Sequence, residues 1–244
     1  MLQKTQGIVL RSIKYGETSL ITSIFTDHYG IISCMIKGVR TSKTSGNKAG
    51  LLQPATLLDL VVDYQQQRSL QHLREFNAAV IYQCIQQDVV KNAVALFSIE
   101  LLLRLLPEHA PIPELFELAF DYFSTLDHTP QSGIANFPLF FIIMCSHKMG
   151  YELKGDYSTD TPYLNLAEGG FTAHPPATVP FIPENDGRTL GQLLLATDLA
   201  AFTQIEMNAA MRGRLLEWYI AFLQQHSQHM GNIRSLSILQ TVLH

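Results

Sequence analysis

The stretch "ATLLDLVVDY", residues 55–64, decides the fold class, because apolar and polar residues alternate along it. Leu58 and Leu60 fall on one side of an extended chain, and Asp59 and Asp63 fall on the other. A period of two residues is typical of a β-strand with one buried face. The segment therefore predicts a strand that lines a hydrophobic core on one side and meets water on the other.

Four more strand-like segments lie in the first 78 residues, each rich in β-branched and apolar residues and bounded by turn signals. They are GIVLRSI (7–13), TSLITSIFT (18–26), GIISCMI (30–36) and RSLQHLREF (68–76). The second also fits helical spacing, and its Thr and Ser residues favour a strand. Five short strands without a crossover helix predict a small closed barrel, for which the OB type is the natural candidate.

From residue 78 onward the pattern becomes helical. The run 91–106 consists of helix formers and stops at Pro107, and 136–150 is apolar all round, which indicates a central buried helix. One short hairpin interrupts the helices at about 156–176. We therefore predict an α+β multidomain protein, with an OB-type barrel over 1–77 and an all-helical domain with a hairpin insertion over 78–244.

Composition places the chain among folded proteins, since 47% of its residues are apolar and 16% are charged. The longest apolar run, residues 139–145, is too short to cross a bilayer, and the first ten residues lack the apolar core of a secretory signal. We expect a cytoplasmic protein without membrane contact. Its three cysteines, Cys34, Cys84 and Cys145, are widely separated, so we expect reduced, buried thiols.

Charge is distributed unevenly along the chain. The net charge is −4 overall, yet residues 1–78 carry nine Lys or Arg against five acids, and the rest carries eight against sixteen. A basic first part and an acidic second part suggest two modules with different partners.

Motifs for catalysis are missing from the sequence. It contains no P-loop, no dinucleotide-binding glycine pattern, no H-E-x-x-H and no G-x-S-x-G. His226 and His229 have no acid or thiol nearby in sequence to complete a metal site, and loop carboxylates such as Asp156 and Asp186 are expected to be solvated. We therefore expect a protein that is not an enzyme and that has no metal or cofactor.

A basic stretch between the third and fourth strands, "IKGVRTSKTSGNKAGLLQP" (36–54), suits phosphate binding, because flexible cations lie beside glycines. A solvated loop without function is the alternative. The candidate contacts also include residues at the end of the first strand, which could share one rim of the barrel. They are Arg11, Lys14, Tyr15, Lys37, Arg40, Lys43 and Lys48, with Tyr29 as a second stacking ring and Arg74 as a further cation.

Several of these motifs, taken in order, resemble the RecO family of bacterial recombination mediators. The resemblance rests on Gly7 to Arg11, Tyr15-Gly16-Glu17, Lys37-Gly38-Val39-Arg40, Leu52-Gln53-Pro54 and the closing "HMGNIRSLSIL". It implies an N-terminal OB domain that binds single- and double-stranded DNA, followed by a helical domain. It also implies strand annealing without substrate turnover, and a cytoplasmic, nucleoid-associated location.

The resemblance further implies three protein partners: RecR, the C-terminal tail of the single-stranded-DNA-binding protein and, indirectly, RecA. An acidic tail that ends in phenylalanine needs a cation beside an apolar pocket. Arg212 and Arg214 are the candidates, because they share a predicted helix with the apolar residues Leu215 and Trp218. The alternative is that both arginines have no binding role and only keep the surface of that helix hydrated.

One departure from the family concerns zinc. Many members carry four cysteines after a G-Y-x-L segment, whereas residues 150–176 of this chain hold none. A closed structural zinc site of that kind needs four thiolates. We therefore expect a metal-free hairpin, held by packing of Tyr157, Tyr163, Leu164 and Phe171. A second hypothesis for the whole chain, a protein-interaction scaffold that does not bind DNA, stays open at this level.

Overall fold

A computed structural model describes residues 2–39, 48–177 and 182–243. The chain forms two compact units. The first comprises Met1–Asp88 with Leu106–His128, and the second comprises Val89–Leu105 with Thr129–His244. The chain thus passes from one unit to the other three times. The first unit contains a helical segment, Leu106–His128, as well as the strands. The division of the sequence into domains at 77/78 stays a prediction.

The five strands of the first unit close into the predicted OB-type barrel. Their bounds are Leu2–Tyr15 (β1), Ser19–Thr26 (β2), Gly30–Ile36 (β3), Leu57–Asp63 (β4) and Leu70–Ala78 (β5). Neighbours follow the order β1-β2-β3-β5-β4, and β4 pairs back with β1. All pairs are antiparallel except β3 with β5. The segment that was ambiguous between helix and strand lies in β2.

The alternation along β4 corresponds to one buried and one exposed face of the strand, as predicted. Leu58 and Leu60 are buried in the barrel core, while Asp59 is exposed. Val9 of β1, Ile24 of β2 and further apolar residues from the other strands complete this core. Burying this apolar surface is the main driving force for closing the barrel.

Helix α2 (Pro113–His128) belongs to the same unit and covers one part of the barrel. Phe116 of α2 meets Phe25 of β2 edge to face, with 5.5 Å between the ring centroids. The turn before β3 also packs closely, because Gly30 has a φ of +65° and a Cβ at this position would overlap the backbone of Ala110. Only glycine fits such a left-handed, crowded position without strain.

The second unit is helical, as predicted. Its helices are Val89–Leu105 (α1), Phe137–Lys148 (α3), Glu184–Leu194 (α4), Leu199–Thr203 (α5), Ala209–His226 (α6) and Leu236–Val242 (α7). Helix α3 is the predicted buried helix, and Leu139, Phe141 and Ile142 have no exposed surface. Among the described residues, no helix combines the length and the apolar character that a membrane span needs.

The hairpin consists of β6 (Tyr163–Asn165) and β7 (Gly170–Thr172), within the predicted range. Lys154 ties it to the preceding loop: its N–H donates to the Gly169 carbonyl at 2.9 Å, and its carbonyl accepts from the Phe171 N–H at 3.0 Å. A Cβ on Gly170 would overlap that Lys154 carbonyl. Leu164 is fully buried, so packing and backbone hydrogen bonds hold the hairpin together.

The cysteines differ from the prediction at one position. Cys34 and Cys145 are buried, whereas Cys84 is exposed, so the expectation of three buried thiols is wrong for Cys84. Cys84 lies in the connection between β5 and α1, and its backbone holds that connection. Its N–H donates to the carboxylate of Asp127 at 2.8 Å.

Candidate nucleic-acid interface

A groove opens in the barrel wall where β3 and β5 diverge. These strands pair in parallel over only three positions, from Ser33 with Leu70 to Met35 with His72. Beyond that point β5 continues along β4 alone. The open strand edges leave a cavity of about 640 Å³, which we call the cationic groove.

The cationic groove combines an apolar floor with a basic rim. The floor includes Met35, Val39 and Phe76, and the rim carries Lys37, Lys48, His72 and Arg74. Lys37 and Lys48 were predicted contacts, and both side chains are exposed. Apolar surface suits the faces of bases, and flexible cations suit phosphates, so this lining fits a nucleic-acid strand.

Sequence reasoning underrated two residues of this groove. His72 was not singled out, and Arg74 appeared only as a further cation. Arg74 is the extra residue of a β-bulge, because Val62 pairs with Leu73 and Val61 pairs with Glu75. A bulge re-aims side chains and breaks the alternation by which sequence reveals strand faces. The Arg74 guanidinium lies 3.5 Å from Asp63, and its side chain is 60% exposed.

The predicted residues of β1 lie on a face that leads into the groove. The strand register aligns Ile13 of β1, Ile21 of β2, Met35 of β3 and His72 of β5 in one row across the barrel. None of these four side chains is buried, so the row forms an accessible strip that ends at the groove. Arg11 and Tyr15 are two residues before and after Ile13, which places them on the same face.

Lys14 lies near the same end of the barrel, next to Ile13 in β1. Because side chains alternate along a strand, Lys14 is on the opposite face of β1 from Arg11, Ile13 and Tyr15. It pairs with Leu20, which in turn pairs with Ile36, the residue before Lys37. Two strand spacings of about 4.8 Å put the backbones of β1 and β3 about 10 Å apart there. The ends of β1 and β3 therefore do converge on one rim. Arg40 and Lys43 lie outside the described residues.

The two tyrosines suggested for base stacking differ. Tyr15 is 53% exposed. Tyr29 is partly buried and stacks on Tyr64, with ring centroids 4.0 Å apart and planes at 24°. One face of Tyr29 is therefore already covered by another ring, which makes Tyr15 the better candidate.

In the helical unit, Arg212 lines a narrow apolar cleft. Pro138 and Leu139 of α3, Leu216 of α6 and Leu239 of α7 form its walls, and we call it the Arg212 cleft. The guanidinium donates to Asn136 Oδ1 at 2.7 Å and to the Met207 carbonyl at 3.3 Å. Burial lowers the pKa of Arg212 from its ordinary value. Arg212 is thus a partly buried cation beside apolar walls, and its role in partner binding stays a prediction.

Arg214, two residues further along α6 than Arg212, makes an internal ion pair. Its Nε donates to Asp186 Oδ2 at 2.6 Å and its Nη2 donates to Oδ1 at 3.0 Å, which is bidentate geometry. The prediction that Asp186 is a solvated loop carboxylate is wrong, because it lies in α4 and only 3% of its side chain is exposed. The pair links α4 to α6, and Arg212 is left as the arginine that faces the cleft.

Possible metal ligands can be compared within residues 2–39, 48–177 and 182–243. No group of three or more His, Cys, Asp or Glu side chains there has an arrangement that could hold an ion. His226 instead lies with its Nε2 3.0 Å from the carbonyl oxygen of Leu166 beside the hairpin.

Comparison with known proteins gives matches over nearly the whole chain. The family described as "Recombination protein O N terminal" matches residues 1–82, and "Recombination protein O C terminal" matches residues 86–236. A DNA repair protein RecO from Bacteroides fragilis is 31% identical over 98% of both chains. One from Christiangramia forsetii is 28% identical over 99% of both, and one from Flavobacterium johnsoniae is 28% identical over 98% of both.

Proposed function

Because the chain belongs to the RecO family of DNA repair proteins, we propose that it binds single- and double-stranded DNA without sequence preference and anneals complementary strands. Family membership gives its role in DNA repair and recombination. The proposal adds a mediator activity, in which the protein helps to load a recombinase onto strands that are coated by single-stranded-DNA-binding protein. It includes no catalytic turnover.

The cationic groove is the observation that carries this proposal. Lys37, Lys48 and Arg74 present exposed cations around an apolar floor, and the strip from Ile13 to His72 leads to it from β1. Contacts to phosphates carry no sequence information, so binding would be non-specific and would weaken steeply with salt. Annealing follows if two strands are neutralised on one surface while their bases stay free to pair.

The proposed protein partners are RecR, the acidic tail of single-stranded-DNA-binding protein and, indirectly, RecA. For the tail we propose the Arg212 cleft, because it places a guanidinium beside apolar walls. The cleft holds only about 30 Å³ of free space, so a phenyl ring enters only if Leu239 or Leu243 of the C-terminal segment moves. We do not extend the proposal to Arg214, since Asp186 engages it.

The first experiment measures fluorescence anisotropy of a labelled single strand at several salt concentrations. A variant with Lys37→Gln, Lys48→Gln and Arg74→Gln should lose about 2 units of slope in a plot of log K against log salt, because each phosphate contact contributes about 0.7. The control for net charge is Lys148→Gln with Lys154→Gln, which removes two cations where the groove variant removes three. These substitutions remove two exposed cations of the helical unit, and the slope should not change.

The same experiment distinguishes DNA binding from the scaffold alternative. Equal slopes for wild type and the groove variant would contradict binding in the cationic groove. Failure of the wild type to bind any strand at low salt would contradict the proposed function as a whole. A slope that falls equally in the control variant would show that net charge, and not the groove, sets the affinity.

A further inference from the structure

Ser12 lies on the inward-facing side of β1, between the candidate contact Arg11 and Ile13 of the accessible strip. Its register partners are Thr22 of β2 and, beyond it, Cys34 of β3, both without exposed surface. The Ser12 hydroxyl makes two short hydrogen bonds. It lies 2.9 Å from the hydroxyl of Thr22, and it donates to the backbone carbonyl of Leu52 at 2.7 Å.

The direction of these two hydrogen bonds follows from the number of protons on each hydroxyl. A serine hydroxyl has one proton, and Ser12 gives it to Leu52. Thr22 must therefore donate to Ser12. The order Thr22 to Ser12 to Leu52 connects the barrel wall to a segment that is distant in sequence, and it leaves the Ser12 oxygen satisfied as donor and acceptor.

Leu52 ends the short 3₁₀ turn Gly50–Leu52, which closes the barrel beside β1. Its side chain is 2% exposed and packs in the barrel core. The chain after it is also tied to β1, since the Ala55 N–H donates to the Val9 carbonyl at 2.8 Å and the Val9 N–H donates to Thr56 at 2.9 Å. Ser12 provides the side-chain link of this attachment, on the side that leads back to Lys48.

We propose that Ser12 is a positioning residue for DNA binding, which holds Leu52 so that Lys48 faces the cationic groove. Lys48 precedes the 3₁₀ turn by two residues and lines the groove. Only three residues, 49–51, therefore lie between Lys48 and Leu52, whose carbonyl is fixed. The inference rests on the proposed function, because it assigns to Ser12 a role in the same site.

The first test is independent of DNA. Trypsin cleaves after Lys48, and the rate of cutting at Lys48–Ala49 reports how firmly the turn is held. Ser12→Ala should accelerate this cleavage about fivefold, the factor that corresponds to one lost net hydrogen bond. Ser12→Thr keeps the hydroxyl and should restore the slow rate. Thr22→Val is the matched control, since it removes a buried hydroxyl from the same row but leaves the Ser12–Leu52 bond in place.

The second test uses the salt dependence of single-strand binding. Ser12→Ala should lower the slope by about 0.7 and the affinity about fivefold at 0.1 M salt, as expected for one lost phosphate contact. In the Lys48→Gln background, Ser12→Ala should have no further effect. Thr22→Val should leave the slope unchanged.

The outcomes separate this inference from the function on which it rests. If Lys48→Gln lowers the slope and Ser12→Ala does not, or if the two effects add, Ser12 does not act through Lys48 and the inference fails while the proposed function stands. If neither Lys48→Gln nor the groove variant affects binding, the inference fails together with the assignment of DNA binding to the cationic groove. Unchanged cleavage at Lys48–Ala49 in Ser12→Ala would overturn the anchoring role directly.

Discussion

At the scale of single residues, Asp127 shows how one carboxylate fixes a connection. It is 1% exposed and lies near the end of α2. The backbone N–H groups of Gln83, Cys84 and Ile85 each donate to it at 2.8 Å. Burial alone would raise the pKa of Asp127, but these three hydrogen bonds outweigh it and hold the pKa below its ordinary value.

Asp127→Asn should therefore destabilise the protein by about 2–3 kcal/mol, because an amide replaces a charged, buried acceptor that three backbone donors share. The folded pKa is depressed, so the stabilisation by wild-type Asp127 is present above about pH 4 and is lost as the pH falls through the lowered folded value. Urea unfolding at pH 7 and at pH 3 checks both statements.

Asp121→Asn is the matched control for this prediction, because Asp121 lies on the same helix and is exposed. It should change the free energy of unfolding by less than about 0.5 kcal/mol. A difference between Asp127→Asn and wild type that is as large at pH 3 as at pH 7 would contradict the role of the ionised carboxylate.

Residue types alone predicted part of the candidate site. Lys37 and Lys48 line the groove because they follow and precede strands whose pattern was readable. Arg74 could not be placed, since a β-bulge depends on how β4 and β5 pair. The ion pair of Arg214 with Asp186 joins two residues that are 28 positions apart and lie on different helices. No local sequence pattern reveals such a contact.

At the scale of elements, the hairpin β6–β7 depends on one close contact. Gly170 leaves no room for a Cβ, because the Lys154 carbonyl and side chain lie against it. Gly170→Ala should cost about 1–3 kcal/mol of stability, the usual cost of overpacking a site that cannot relax freely. Thermal unfolding of the variant measures it.

Gly213→Ala is the control for that substitution. A Cβ on Gly213 meets nothing within 4 Å, and the residue lies inside α6. Alanine favours a helix over glycine by about 1 kcal/mol, so this variant should be as stable as wild type or more so. If Gly170→Ala behaves in the same way, close packing against Lys154 does not hold the hairpin.

Sequence predicted every strand of the barrel but only some helices of the second unit. Alternation and β-branched residues identified all five strands, and helix-forming and apolar runs identified α1, α3 and α6. The parallel pairing of β3 with β5 was not predictable, because it joins strands through non-local contacts. That pairing, and its early end, is what creates the cationic groove. The short helices α4, α5 and α7 were not predicted either.

At the scale of the whole molecule, the two units carry two separable proposed tasks. The cationic groove is lined by residues of the first unit, and the Arg212 cleft is lined by residues of the second. We expect Arg212→Gln to weaken binding of an acidic peptide that ends in phenylalanine by about tenfold, the effect of losing one charge-assisted contact of about 1.4 kcal/mol, and to leave DNA affinity unchanged. Fluorescence polarisation of the labelled peptide measures the first effect, and anisotropy with a single strand measures the second.

The groove variant should show the reverse pattern, with weaker DNA binding and unchanged peptide binding. Lys148→Gln, which removes an exposed cation of α3, serves as the charge-matched control for the peptide. Loss of both activities in Arg212→Gln, without a change in thermal stability, would show that the tasks are not separable in this way.

The construction of the hairpin also has a consequence for redox chemistry. Backbone hydrogen bonds and a glycine contact close it, and residues 150–176 contain no sulfur ligand that an oxidant could attack. Burial raises the pKa of Cys34 to about 12 and also raises that of Cys145, which keeps both as unreactive thiols. We therefore expect peroxide to modify Cys84 first and to leave the hairpin folded, so that oxidation spares this part of the second unit.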